Sequence, residues 1–427
     1  MASLPAADPR VDRSFAVLRT VLGDRLGRDA AVRAWDGSTI DAAHPAFTFV
    51  LCEPHALRGA LTPPLDLNPG RAFAEGWFDV EGDLESAIDV LERGADRLGP
   101  LKLAALVAQL ARLPKPPPAQ GGAAHLQGHV HSRERDAAAV GFHYDQPVAF
   151  YRLFLGPELV YSCAYWDRGI SDVDAAQAAK LDYVLDKVRL RPGQRFLDIG
   201  CGWGSLVIRA AQRGALAHGI TLSRGQYAEA RQRIAALGLG ERATVELRDY
   251  RDLGDAQFDA VASVGMVEHV GRERQPEYFA CAYRALRPGG LFLNHGIVVQ
   301  SRDGKGWRAG GDFVGRYVFP DGDLAPIDTS IRAAEAAGFE VRDLENLREH
   351  YARTLRAWGQ NLCAHRDEAV AMTDVRTERV WRLYMAGSAR NFALGRMGLM
   401  QMIAAKPRPD GSADIPPTRR DLYERQR

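Results

Sequence analysis

The sequence predicts an α/β protein: a doubly wound, mostly parallel sheet, with a smaller α/β domain ahead of it. Three observations predict this class. Strand-like and helix-like segments alternate from about residue 174 to 295, the order that builds a parallel sheet. A strand ending at Ile199 runs into glycines at alternate positions, Gly200, Gly202 and Gly204, with a helix-like segment directly behind them. Finally, a Pro- and Gly-dense stretch beginning at 113 separates this block from an earlier run of short strands and helices.

Composition narrows the class further. The 427 residues leave room for two domains with cores of their own. Hydrophobic residues make up 46% and charged residues 26%, both ordinary for a soluble globular protein. A net charge of +1 gives no electrostatic case for a nucleic-acid partner. Five scattered cysteines read as reduced thiols of a cytosolic protein, not as a disulfide frame. The first ten residues have no apolar core, which argues against a signal peptide. No run of 18 apolar residues occurs, so the chain is not expected to span a membrane, although it is free to sit on one.

Within residues 10–110 the clearest strand is 47–52, and 83–98 and 101–112 read as helices. Residues 113–138 read as a linker or surface loop. The spacing of His125, His129 and His131 closes no metal site, so they are expected in a solvated loop and no metal is expected. The alternating block then gives a helix at 174–188, a strand at 195–199, a helix at 205–213, a strand at 217–221 and a helix at 224–237. Strands at 243–247 and 258–264 follow. A helix at 274–286 ends on Arg287-Pro-Gly-Gly, read as a stop and turn before a strand at 291–295. Beyond 340 the chain reads as mostly helical, at 346–363 and 377–395, with a polar tail. The expected domains are therefore 1–112, a linker at 113–138, 139–400, and a tail at 401–427. In a doubly wound sheet, ligands gather beyond the carboxyl ends of the strands. The glycine loop, Thr221, Asp249, Glu268 and His295 all fall there.

The glycine spacing says what kind of ligand. A dinucleotide pyrophosphate needs G-x-G-x-x-G, whereas here the third glycine comes one residue early and Ser205 takes its place. That favours a nucleoside without a pyrophosphate, most commonly S-adenosylmethionine (SAM), over an ordinary glycine-rich βα turn.

Longer motifs sharpen the reading. They are Phe142-His-Tyr-Asp, Tyr161-Ser-Cys-Ala-Tyr-Trp, Gly219-Ile-Thr-Leu-Ser-Arg-Gly-Gln, Arg248-Asp-Tyr-Arg-Asp-Leu and Ser263-Val-Gly-Met-Val-Glu-His-Val-Gly. Tyr317-Val-Phe-Pro and His350-Tyr-Ala-Arg-Thr-Leu-Arg-Ala-Trp complete the set. Over about 140–395 the chain resembles the cyclopropane-fatty-acyl-phospholipid synthases, SAM-dependent enzymes that add a methylene across a cis double bond of a membrane lipid. Residues 70–82 also look like that family's N-terminal domain. The resemblance implies a class I SAM methyltransferase fold with an N-terminal lipid-binding domain. It implies that Gly200, Gly202 and Gly204 hold the methionine part of SAM, with Asp198 in the same site. Thr221 and Gln226 would bond the ribose, with Leu222 adjoining, and Asp249 and Tyr250 would border the adenine. Asp249 also reads as a turn cap. Tyr161 and Ser162 would form a lid over the cofactor.

An alkene is a poor nucleophile, so it must be held in line with the SAM methyl in a dry site. Methyl transfer leaves a carbocation, and ring closure then requires loss of a proton. Aromatic faces at Tyr144, Tyr161 and Tyr165 are candidates to stabilise the positive charge, with ordinary packing as the alternative. For the base, the resemblance implies a bicarbonate ion held by Cys163, Glu268, His295, Tyr351 and the backbone amide of Ile297. His295 and Tyr351 can donate to the anion, and Glu268 can take its hydrogen. The plainer readings are a helix-start carboxylate, a satisfied core histidine and an inert buried thiol. His269 reads as structural.

Two departures from the family pattern stand out. Asp145 is followed by Gln146-Pro147 in place of a small residue and Asn-Asp, and Ser388 stands where many relatives carry a cysteine. The resemblance further implies unsaturated fatty acyl chains as substrate. It implies peripheral contact with a phospholipid bilayer at its cytoplasmic face, and a homodimer is in keeping with that. The fate of one proton separates cyclopropanation from methylation that leaves a methylene- or methyl-branched chain, and the residues do not decide between them. A lipid carrier with vestigial SAM binding and a small-molecule methyltransferase are the readings from other classes.

Overall fold

The computed structural model describes residues 8–96, 98–118, 121–144, 146–255, 257–300 and 311–424. Asp145, the residue just before the Gln146-Pro147 departure, lies outside them. The chain divides into two compact units. One takes in the chain up to Ala123 with later segments ending at Val318 and Arg390; the other holds the remainder.

The first unit contains a four-stranded sheet in the order β2-β1-β3-β4. Its strands are β1 Ala30–Arg33, β2 Thr39–Ile40, β3 Phe47–Leu51 and β4 Phe78–Gly82. Phe47, Phe49 and Leu51 point to the core while Thr48 and Val50 are half-buried, the period-two pattern of a one-faced strand. Helix Pro9–Leu22, capped by the Asp8 carboxylate, buries Phe15, Leu18 and Val21 against this core. Leu113 also belongs to the core, and its carbonyl accepts from Arg58 at 2.7 Å. The stretch read as a linker is therefore packed where it starts. Within this unit, helix Val375–Ala393 places Arg390 against Asp89 at 2.9 Å and Glu92 at 2.7 Å.

The second unit holds a seven-stranded sheet in the order β10-β11-β9-β8-β5-β6-β7. The strands are β5 Arg195–Ile199, β6 Leu216–Thr221, β7 Ala243–Leu247, β8 Phe258–Val264, β9 Leu286–Val299, β10 Glu340–Asn346 and β11 Met397–Ala405. From β9 to β7 the sheet is parallel, while β11 runs antiparallel to both β9 and β10. Three expectations are corrected here. The mostly helical region after 340 also holds two strands, β10 and β11, and 401–405 is buried strand rather than tail. Arg287-Pro-Gly-Gly is not a turn between elements, because β9 begins at Leu286 and absorbs the irregularity as a register shift against β8. Helix Arg133–Tyr144 occupies the end of the expected linker. Among the described residues, no helix is long and apolar enough to cross a membrane, and no cluster of His, Cys, Asp and Glu could hold a metal.

Candidate functional site

The site grows from the turn after β5. The Gly200 and Cys201 amides both donate to the Ile220 carbonyl, at 3.0 and 2.9 Å, tying the loop to the end of β6. Gly204 caps helix Ser205–Gln212 with φ of 83°, and a Cβ there would lie 3.0 Å from the Ala230 Cβ. Only glycine takes that backbone at that distance without strain. The turn opens onto a cavity of about 1260 Å³, its mouth included.

Of the expected cofactor residues, Tyr161, Ser162, Asp198, Gly200, Gly202, Thr221, Leu222, Gln226 and Tyr250 line this cavity. Gly204 lies behind the wall and acts through helix geometry. Asp249 is also outside the lining. Its carboxylate accepts from the Arg251 amide at 2.9 Å and from the Arg251 guanidinium at 2.6 Å, capping the short helix Tyr250–Asp252. The plainer reading of Asp249 as a turn cap is what its hydrogen bonds show. Thr221 Oγ1 donates to Gln226 Oε1 at 2.8 Å, so the hydroxyl and amide are already aligned.

Asp198 is 2% exposed and its Oδ1 has no partner. Burial pushes its carboxyl up to about 7, against the opposing pull of the Lys180 charge. A buried, unpaired carboxylate oxygen facing a cavity calls for a donor from a ligand. Lys180, which sequence reasoning missed, lines the same cavity and donates to Ser162 Oγ at 2.8 Å. One signal could have found it: Lys180 and Lys187 occupy buried positions of helix Val173–Lys187, in step with Val173, Ala176 and Val184.

The wall also carries aromatic rings. Tyr144 stands 6.2 Å from Tyr161 and 6.1 Å from Trp203, centroid to centroid, and all three line the cavity. Tyr165 does not. It is stacked against Tyr183 at 4.2 Å and His350 at 5.1 Å, so its expected role at the substrate is corrected to packing. His269 also lines the cavity, and burial pushes it down to about 4.

Helix Arg133–Tyr144 contributes Asp136, Val140 and Tyr144 to the cavity wall. Arg135 bonds Asp321 at 2.8 Å and Asp136 meets Arg251 at 3.0 Å, fixing this helix to the body of the second unit. His131 belongs to the same arrangement, 3.5 Å from Asp136 with its side chain 14% exposed, so it is not in a solvated loop.

None of the five residues assigned to the bicarbonate lines the cavity. Glu268 sits on the single-turn helix Val267–Val270, whose neighbours Met266 and His269 do line it. Glu268 Oε1 accepts from the Ile297 amide at 2.7 Å. That amide is therefore already engaged, which corrects its expected role as a donor to the anion. Glu268 Oε2 is buried and has no partner, and burial raises the carboxyl to about 7.

His295, 1% exposed, lies opposite Gln401 across the β9–β11 pair. Gln401 Oε1 accepts from Lys187 Nζ at 2.7 Å, and Lys187 pairs in turn with Glu345. An ammonium can only donate, so the Gln401 amide nitrogen must face His295 Nδ1, at 3.0 Å. Nδ1 is then an acceptor. Burial, with the Lys180 and Lys187 charges, holds the ring neutral. Its proton consequently sits on Nε2, which is buried with no partner. Cys163 is fully buried with Sγ 3.2 Å from the Ala164 carbonyl; burial raises it, keeping it a thiol. Tyr351 is 7% exposed and packs on Phe392 at 4.7 Å.

Comparison with known proteins follows the same lines. A profile of the mycolic acid cyclopropane synthetase family matches residues 131–402. A probable fatty acid methyltransferase of Pseudomonas putida is 39% identical over 396 residues, covering 92% of this chain and 95% of its own. A probable fatty acid methyltransferase of Mycobacterium tuberculosis is 36% identical over 398 residues, covering 90% and 92%. The structure of the cyclopropane synthase MmaA2 from Mycobacterium tuberculosis superposes with a TM-score of 0.59 at 32% identity, over 65% of this chain and all of that one. The mycolic acid cyclopropane synthase CmaA1, complexed with S-adenosylhomocysteine (SAH) and CTAB, gives 0.58 at 32% identity, over 63% and 97%.

Proposed function

The chain belongs to the mycolic acid cyclopropane synthetase family and is a SAM-dependent methyltransferase, and from that premise we propose that it builds cyclopropane rings on the cis double bonds of unsaturated phospholipid acyl chains. When bound, SAM supplies an electrophilic methyl group. The chain's own residues do the rest. Gly200 holds the methionine part, Thr221 and Gln226 fix the ribose, and the rings of Tyr144, Tyr161 and Trp203 offer apolar, electron-rich surface where a cation develops.

The observation that carries the reading is two buried, unpartnered groups, Glu268 Oε2, an acceptor on the single-turn helix after β8, and His295 Nε2, a donor within β9. An anion with one hydrogen fits that pair, so Glu268 and His295 would hold bicarbonate, which would supply the proton acceptor that ring closure needs. Contact with the lipid surface is supported by helix Pro100–Ala111. Leu101 is 88%, Leu103 50% and Val107 58% exposed there. Exposed Lys102, Arg112 and Lys115 flank these side chains, the make-up of a helix that rests in an anionic bilayer interface.

A second reading, methylation without ring closure, is favoured by the names of relatives. The two that match over nine-tenths of this chain are described as fatty acid methyltransferases. The experiment that tests the substrate supplies methyl-labelled SAM together with phospholipid vesicles or free unsaturated fatty acid. Label in the phospholipid acyl chains supports the reading; label only in the free acid overturns the phospholipid assignment.

A further inference from the structure

Lys180 is a charge at an apolar position. Helix Val173–Lys187 buries it between Ala176 and Val184, 3% exposed, and its side chain faces the cavity shared by Ser162 and Asp198. Its ammonium donates to Ser162 Oγ at 2.8 Å, which leaves the Ser162 hydroxyl hydrogen free for a ligand. On the same cavity wall, Asp198 is 2% exposed with an unpartnered Oδ1. No ion pair joins Lys180 to Asp198 among the described residues. A buried ammonium and a buried carboxylate that share a wall without closing on each other match a ligand that brings both charges itself.

We propose that Lys180 is the counter-charge for the α-carboxylate of the cofactor's amino-acid head, with Ser162 as its hydroxyl partner and Asp198 facing the α-ammonium. The proposal rests on the chain's SAM dependence and extends it to a named determinant of cofactor selectivity. Lys180 becomes a specificity residue, reading a group remote from the transferred methyl.

Calorimetry on the full chain, with SAH and its decarboxylated analogue as the two probes, tests this. The wild type should prefer SAH by about ten- to hundredfold, the worth of a charge-assisted bond. Lys180→Gln keeps a donor for Ser162 and deletes the charge. It should collapse the preference to near unity by weakening SAH alone. Equal loss for both probes would overturn the proposal and reduce Lys180 to a tether for Ser162. Should Lys180→Gln fail to fold, Ser162→Ala decides. With Lys180 in place, most of the preference should survive, and its disappearance would assign the carboxylate to Ser162 instead. Wild-type protein that binds neither probe would overturn the cofactor reading as well, whereas binding without preference overturns only the proposal.

Discussion

Gln401 and His295 are direct partners across the antiparallel pair of β11 and β9, with the Gln401 amide nitrogen 3.0 Å from His295 Nδ1. Because Lys187 holds the other end of that amide, the contact sets which ring nitrogen carries the proton. Gln401→Leu should therefore lower turnover by about ten- to hundredfold, the usual effect of removing a residue that orients a ligand-binding histidine. Gln401→Glu, nearly the same shape, should be no better. It offers only acceptors, so it moves the proton to Nδ1 and leaves Nε2 without one. Nitrogen-15 spectra of the histidine ring would show the change of tautomer, and an unchanged spectrum in the glutamate variant contradicts the account.

Glu268→Gln should reduce turnover by about a hundredfold or more while SAH binding stays within experimental error of the wild type. Calorimetry and product analysis on the same preparation check both halves. Retained turnover removes Glu268 from the mechanism.

The same substitution has a pH signature in stability. Burial raises the Glu268 carboxyl from its ordinary 4.5 to about 7, so between those values the folded chain binds a proton that the unfolded chain has lost. The stabilising contribution is complete below about 4.5 and is lost as pH rises through about 7. Glu268→Gln, which cannot ionise, should therefore be more stable than wild type at pH 8, by on the order of 2–3 kcal/mol, with the difference vanishing near pH 4.5. Denaturant midpoints across that range measure it, and an advantage confined to low pH would contradict the sign.

Some of this site is legible in the sequence because its signals are local. Three glycines at alternate positions after a strand announce the cofactor turn, since the backbone there needs positive φ. Residues whose roles depend on distant partners are not legible in that way. The helical spacing of Lys180 and Lys187 marks their positions as buried, but their roles appear only once Ser162, Glu345 and Gln401 are brought to them. The engagement of the Ile297 amide by Glu268 depends on a side chain folding back onto the neighbouring strand. β11 escaped because all nine of its residues are buried, so it shows no alternation, and from 401 on it reads as part of the polar tail. β10 escaped for the opposite reason: an edge strand of charged and half-buried residues lacks an apolar face to betray it.

Gly204→Ala tests the turn. At φ of 83°, with the new methyl 3.0 Å from the Ala230 Cβ, the variant should lose about 1–3 kcal/mol of stability and bind SAH more weakly. Chemical denaturation reads the first effect and calorimetry the second. Wild-type behaviour in both would mean the helix start is not held as described.

Leu101→Asp together with Val107→Asp should abolish co-sedimentation with anionic vesicles and spare SAH binding, because both side chains are exposed on helix Pro100–Ala111. Undiminished sedimentation would move the lipid contact elsewhere.

The most direct test of the central claim is the product itself. The protein is incubated with SAM and vesicles of cis-monounsaturated phospholipid, and the released fatty acids are treated with ozone and weighed by mass spectrometry. Cyclopropanation predicts a product one CH₂ heavier that resists ozone, since the alkene has been consumed. A heavier product that ozone cleaves would contradict ring closure and establish the methylene-branched chain instead.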